Sequence, residues 1–359
     1  MAVHRAAPGE GPLRVVRAGG GTGSITLYDF EPTLDRLCDD VTIGLSATPK
    51  KLPSKYFYDA RGARLFERIT GLDSYYLTRT EVSILREHGD DIAERIGSDV
   101  RLVEFGSGSG EKTWGLLRHL RSPAAYLPVD ISRSQLVQFA MSVASSFPDL
   151  QVSPVCADYT SEFELPPQEA PASRCVAFFP GSTLGNFDSE DADLFLRRVA
   201  TLVGPEGGML VGIDLRKDRG VIERAYNDPE GVTAEFNRNL LRRINRECGA
   251  DFEPAEFDHQ AVFEDDPGRI EMRLVSRRRQ TVSVASSTGE APRQSFGFEE
   301  GEPIITEYSH KYRPEEFERM AERSGWTVAA TWMDDRQWFA VVLLENGRSG
   351  RGWTEGRTG

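Results

Sequence analysis

No run in this chain approaches the ~18 consecutive apolar residues that a membrane-spanning helix needs, so none of it reads as a bilayer span. The opening stretch, residues 1–24, lacks the apolar core of a secretory signal and reads, from its glycines and prolines, as a flexible lead. Cysteine is scarce. Cys38, Cys156, Cys175 and Cys248 lie far apart, and no pair has the spacing of a zinc site or a redox motif. The expectation is reduced, mostly buried thiols in a cytoplasmic protein. The five histidines, His4, His88, His119, His259 and His310, show no metal-ligand spacing, so no metal site is expected. Positive charge is also thin. A formal net charge of -13 argues against a nucleic-acid partner, because such proteins carry a basic face. The single basic run, Arg277-Arg278-Arg279, reads as the solvated side of a strand.

What is present is a strand–helix alternation. The 359 residues are long for one hydrophobic core and comfortable for two domains. Apolar spacing predicts a helix over 82–96, then a buried strand over Arg101–Phe105. Further strands are expected over 125–130, 150–156, 175–179 and 209–215, with helices over 111–120, 134–145 and 191–203 between them. Such alternation implies a doubly wound parallel α/β sheet. The next helix, 314–324, comes only after an insertion of residues 216–312, which includes a helical stretch over 232–248 and strands near 270–274 and 304–312. Two strands, 327–333 and 338–344, close the chain as a hairpin, the way a class I methyltransferase sheet ends with an antiparallel strand. Residues 81–215 and 313–345 are thus expected to form the cofactor domain. Residues 25–80 and 216–312 are expected to form a second, α+β substrate domain over its ligand edge, and 346–359 a polar, glycine-rich tail.

The turn after the first buried strand reads Gly106-Ser107-Gly108-Ser109-Gly110. Glycines there let the backbone approach a ligand and take positive φ without steric cost. Asp130 ends the following strand, placed for the two hydroxyls of an adenosine ribose. The dinucleotide pattern G-x-G-x-x-G needs a third glycine where this chain has Glu111, and an acid at that helix start would repel a pyrophosphate. Glu104, Asp130 and Asp158 make an acidic rim suited to a cationic sulfonium, so S-adenosylmethionine is favoured over a nicotinamide.

Several ordered strings share one resemblance. They are residues 51–59, from Lys51 to Asp59; Leu65-Phe66-Glu67-Arg68-Ile69-Thr70; Tyr75-Tyr76-Leu77-Thr78-Arg79-Thr80-Glu81; and Gly181-Ser182-Thr183-Leu184-Gly185-Asn186. To these are added Arg224-Ala225-Tyr226-Asn227-Asp228, Ile270-Glu271-Met272, Thr306-Glu307-Tyr308-Ser309 and Lys311-Tyr312-Arg313-Pro314-Glu315. Over roughly residues 35–345 the chain resembles the histidine Nα-methyltransferases of ergothioneine biosynthesis. The resemblance implies trimethylation of the α-amino group of free L-histidine to hercynine; a monomer is expected. It implies that Asn186 and Tyr226 hold the amino and carboxylate end, and that Tyr75, Glu307 and Ser309 hold the imidazole. Tyr58 and Phe66 would shape the pocket beside the reacting nitrogen, with Met272 packed near the ring. Gly106, Ser107, Gly108, Lys112, Asp130, Asp158 and Tyr159 would hold the cofactor.

The residues bear on the chemistry independently. Glu307 and Ser309, two apart in a strand pattern, share one face, while Tyr308 and His310 share the other. A carboxylate and a hydroxyl aimed together suit the two ring nitrogens of an imidazole, and a ring unable to pair would leave them unsatisfied. Methyl transfer from a sulfonium is an in-line displacement, for which the protein supplies alignment. The attacking amine must be neutral, and Tyr58 acting through a water is a candidate proton acceptor, so Tyr58, Asn186 and Tyr226 are the catalytic candidates. A methyltransferase acting on another amino acid or amine, and a catalytically silent cofactor-binding module, remain as alternatives. Asn237 and Asn239 read as helix-capping or surface residues.

Overall fold

The computed structural model describes residues 14–18, 25–30, 37–108, 110–168, 171–285 and 293–347. Its main sheet runs, in spatial order, through strands Arg14–Ala18, Ile25–Asp29, Val155–Cys156, Ala125–Asp130, Arg101–Phe105, Cys175–Phe179, Gly208–Asp214, Phe339–Asn346 and Trp326–Met333. From Ile25–Asp29 to Gly208–Asp214 the neighbours are parallel, and Phe339–Asn346 then enters antiparallel between Gly208–Asp214 and Trp326–Met333. The closing hairpin is therefore as the apolar pattern predicts, and the order is that of a class I methyltransferase sheet. Its central strands are buried on both faces, Gly208–Asp214 at every residue, which is why they read as continuous apolar runs.

A second, four-stranded sheet comprises Phe257–Glu264, Arg269–Ser276, Pro303–His310 and the short Lys50–Lys51, the first three antiparallel. The helix Val232–Cys248 packs on this sheet and also on helices Leu37–Ser46 and Ala60–Thr70. The insertion thus packs against helices of the N-terminal segment.

Several boundaries differ from the pattern. Residues 14–18 pair with Ile25–Asp29, so that part of the expected lead is strand, and Ile25–Asp29 belongs to the main sheet rather than to the second unit. The rest of the lead lies outside the described residues, as do the loop at 286–292 and tail residues 348–359. The expected helix over 82–96 is two helices, Tyr76–Glu87 and Gly89–Ile96. A Cβ at Gly89 would lie 2.3 Å from the His119 ring, whose Nδ1 is 2.8 Å from Asp90, so the chain turns where that ring must fit. The strand expected over 150–156 is interrupted because Pro154 has no N–H for a ladder. Arg277, Arg278 and Arg279 lie in the connection between two strands, each beside an acid: Asp258, Glu256 and Glu299.

The cysteine reading is corrected in part. Cys38 and Cys248 form a disulfide with Cα atoms 5.4 Å apart, joining helix Leu37–Ser46 to the last residue of Val232–Cys248. Cys156 and Cys175 are free thiols.

Candidate functional site

The turn after Arg101–Phe105 sits where strand order reverses, the crevice in which open α/β sheets bind ligands. Gly106 has φ 71° and a Cβ there would meet nothing within 4 Å, so the loop faces open space. Gly110, at φ 77°, begins the helix Glu111–Leu117, and a Cβ there would lie 2.1 Å from Phe139 Cε2. Ser107 is buried beside them. Asp130, at the carboxyl end of its strand, is half-buried and accepts from the Ser132 N–H at 2.8 Å; burial raises its pKa. Asp158 accepts from Thr160 N and Oγ1 at 2.9 and 2.5 Å and faces Lys55 Nζ at 3.7 Å. Tyr159 packs among Phe105, Phe179 and Phe195.

Glu104 lies beneath this rim rather than on it. Its buried carboxylate accepts from Thr113 Oγ1 at 2.8 Å and Tyr126 Oη at 2.5 Å, tying the glycine turn to the helix behind it. Burial lifts its pKa to about 7 against the lowering effect of those hydrogen bonds. Lys112 Nζ is 2.8 Å from the fully buried Glu81, whose carboxylate also takes the Gly181 N–H at 2.8 and 3.0 Å. That pairing holds Lys112 at the carboxyl end of Cys175–Phe179, beside the glycine turn. Asn186 ends the short turn Thr183–Asn186 that packs on the strand Pro303–His310.

An aromatic chain lines the other side. Ring centroids run Tyr58–Phe66 5.5 Å, Phe66–Tyr75 6.3 Å and Tyr75–Tyr226 6.1 Å, with Phe236 5.8 and 5.9 Å from Tyr58 and Phe66. Tyr58, at the outer end of this chain, is more than a third exposed, and desolvation followed by the charge of Glu307 pushes its pKa up. Glu307 is paired across strands with Met272. The register slips there: Arg273 pairs with Ile305, leaving Thr306 as an extra residue whose Oγ1 donates to the Met272 carbonyl at 3.1 Å. From Glu307 onward the alternation holds. Ser309 meets Tyr226 at 2.8 Å, while Tyr308 on the opposite face lies under the Arg269 guanidinium at 3.6 Å. Burial raises the Glu307 carboxyl to about 7, with Lys311 acting in the lowering direction.

The sequence reading did not single out the polar group behind this pocket. Asp214, which ends its strand, is fully buried and lies 2.8 Å from Lys311. It also accepts from Tyr76 Oη at 2.8 and 3.1 Å and pairs with Lys217. Burial pushes the Asp214 carboxyl up, but the two ammonium groups bring it below its ordinary value; burial lowers Lys217 to about 8. Asp214 ends a strand at the same sheet edge as Asp130, which was the signal available for it. Asn237 and Asn239 are also buried rather than exposed. Asn237 Nδ2 donates to His259 Nδ1 at 2.9 Å, His259 Nε2 donates to the Tyr226 carbonyl at 2.8 Å, and Asn239 donates to Asp59 at 2.8 Å. His259 is thereby a support for Tyr226.

Against known proteins, the family described as histidine-specific, SAM-dependent methyltransferases matches residues 37–346. The chain is 39% identical to a histidine N-alpha-methyltransferase of Mycolicibacterium smegmatis, over 85% of this chain and 93% of that one. It is 38% identical to the same-named protein of Mycobacterium tuberculosis, with the same coverage. An ergothioneine biosynthesis protein 1 of Neurospora crassa is 31% identical over 83% of this chain and 33% of its own length.

Proposed function

This chain belongs to the histidine-specific, SAM-dependent methyltransferases, and we infer from that membership and from its pocket that it trimethylates the α-amino group of free L-histidine, a step of ergothioneine biosynthesis. The observation that carries the substrate is the cluster Glu307, Ser309 and Tyr226, with Tyr226 also ending the aromatic chain that runs through Tyr58, Phe66 and Tyr75. Glu307 and Ser309 take the imidazole, joined by Tyr75, while Met272 packs against the ring. Tyr226, with Asn186, takes the carboxylate and amino end. Phe66 and Tyr58 close the space beside the nitrogen, and their faces stabilise the cation left by the third transfer by roughly 0.5–2 kcal/mol.

The residues of the glycine turn fit S-adenosylmethionine, because the position a Cβ would fill at Gly106 is open and Asp130 stands at the strand end. The cofactor supplies an electrophilic methyl on a sulfonium. Gly106, Ser107 and Gly108 let it approach the backbone, Asp130 takes the ribose hydroxyls, and Asp158 with Tyr159 borders the adenine. Lys112, held by Glu81, faces its carboxylate. The chain's own part in the step is alignment and exclusion of water. Tyr58, more than a third exposed at the mouth of the pocket, passes the departing proton through a water to solvent, its own hydroxyl ending the step protonated. We further propose that the protein acts as a monomer in the cytoplasm.

The test is incubation with S-adenosylmethionine and each of the twenty amino acids, followed by mass spectrometry. Histidine should gain three methyl groups in place of three hydrogens. Turnover of another amino acid alone, or tight cofactor binding with no turnover, would replace this reading by one of the two alternatives.

A further inference from the structure

Lys311 is fully buried, its ammonium in contact with two hydroxyls of the substrate wall. An ammonium has three hydrogens and no acceptor. Here three oxygens surround it: Tyr226 Oη at 2.9 Å, Ser309 Oγ at 2.8 Å and Asp214 Oδ2 at 2.8 Å. Every hydrogen of Lys311 is therefore engaged, and both hydroxyl oxygens are acceptors of one.

Those two oxygens are also 2.8 Å from each other, close enough for a hydrogen bond between them. One of the two hydroxyl hydrogens must lie between them. The pair thus has one hydrogen left to offer the cavity, and the oxygen that keeps it has accepted from both neighbours. The other oxygen retains a single free lone pair. One hydroxyl faces a ligand as donor only and its partner as acceptor only.

A carboxylate is acceptor-only, so a hydroxyl that meets it must donate. Building on the placement proposed above, in which Tyr226 meets the substrate carboxylate, the remaining proton belongs to Tyr226. Ser309 then donates to Tyr226 and offers a lone pair to a ring N–H. We propose that Lys311 is a positioning residue that fixes this polarity, so the pocket selects ligands bearing both a free carboxylate and a ring N–H. Without Lys311 each hydroxyl regains a free lone pair and can turn to suit a ligand of either polarity.

The experiment titrates L-histidine, and separately histamine, which lacks the carboxylate, into the enzyme saturated with S-adenosylhomocysteine, read by calorimetry. The wild type should prefer histidine strongly. Lys311→Met should narrow the ratio of the two affinities by about tenfold or more, with S-adenosylhomocysteine affinity unchanged. Tyr226→Phe should narrow it comparably, and the double variant Lys311→Met/Tyr226→Phe should add little further, as expected of residues acting as one unit. A merely structural lysine would weaken both ligands alike and leave the ratio where it was, which overturns the proposal. Loss of S-adenosylhomocysteine binding in both Lys311→Met and Lys311→Gln would also overturn it, making Lys311 a residue of the fold. If the wild type binds neither ligand, it is the histidine reading that fails.

Discussion

The hydroxyl of Tyr226 stands 2.8 Å from Ser309 Oγ, although 83 residues separate the two in sequence. The first ends a short helix just beyond the main sheet and the second lies in the second sheet. The substrate wall exists only when the helix Arg219–Tyr226 is packed on the second sheet. Ser309→Ala should therefore raise the KM for histidine by about tenfold, since a buried hydrogen-bonding partner is lost. Calorimetry should show S-adenosylmethionine affinity unchanged, because that site is built on the main sheet alone.

Glu307 gives a prediction in pH. Burial raises its carboxyl to about 7 in the folded protein, from a model-peptide value near 4.5. A carboxyl raised on folding costs stability where the chain would otherwise ionise it. That cost is absent below about 4.5, grows as pH rises, and is complete above about 7. Glu307→Gln should accordingly melt higher than wild type at pH 8, with the difference vanishing by pH 4.5. The same substitution should remove an ionisation near 7 from the profile of kcat/KM for histidine.

Asp130→Ala tests the cofactor side. Hydrogen bonds to a charged group contribute about 1.5–3 kcal/mol, so S-adenosylmethionine affinity should fall by about tenfold to a hundredfold. Histidine affinity, measured by the same titration, should change far less. Equal losses for both ligands would mean that Asp130 supports the fold rather than the ribose.

The Cys38–Cys248 disulfide joins helices far apart in sequence and closes a loop of 210 residues. Removing such a link typically costs about 2–4 kcal/mol through the freedom returned to the unfolded chain. Dithiothreitol should lower the melting temperature of the wild type and leave that of Cys38→Ala/Cys248→Ala unmoved. A wild type indifferent to reductant would show that the bond contributes nothing measurable to stability.

The main sheet was legible in the sequence because buried parallel strands such as Arg101–Phe105 and Gly208–Asp214 are unbroken apolar runs. Glu307 and Ser309 were legible as a shared face because alternation is local and survives past the irregularity at Thr306. Phe257–Glu264 was not, since its exposed and buried positions alternate imperfectly. Asn237 and Asn239 misled for a different reason. Polar residues on a helix read as solvent-facing, whereas these are paired inside with His259 and Asp59. The Asp214–Lys311 pairing and the disulfide depend on one sheet or helix docking against another, and no spacing along the chain encodes either contact.

The most direct test of the whole reading is the position of the methyl groups on the product. Histidine incubated with enzyme and S-adenosylmethionine labelled with carbon-13 in its methyl should give one trimethylammonium resonance coupled to the α-carbon proton network, with the imidazole ring unlabelled. Label on a ring nitrogen, or histidine recovered unlabelled while another amine is methylated, would contradict it.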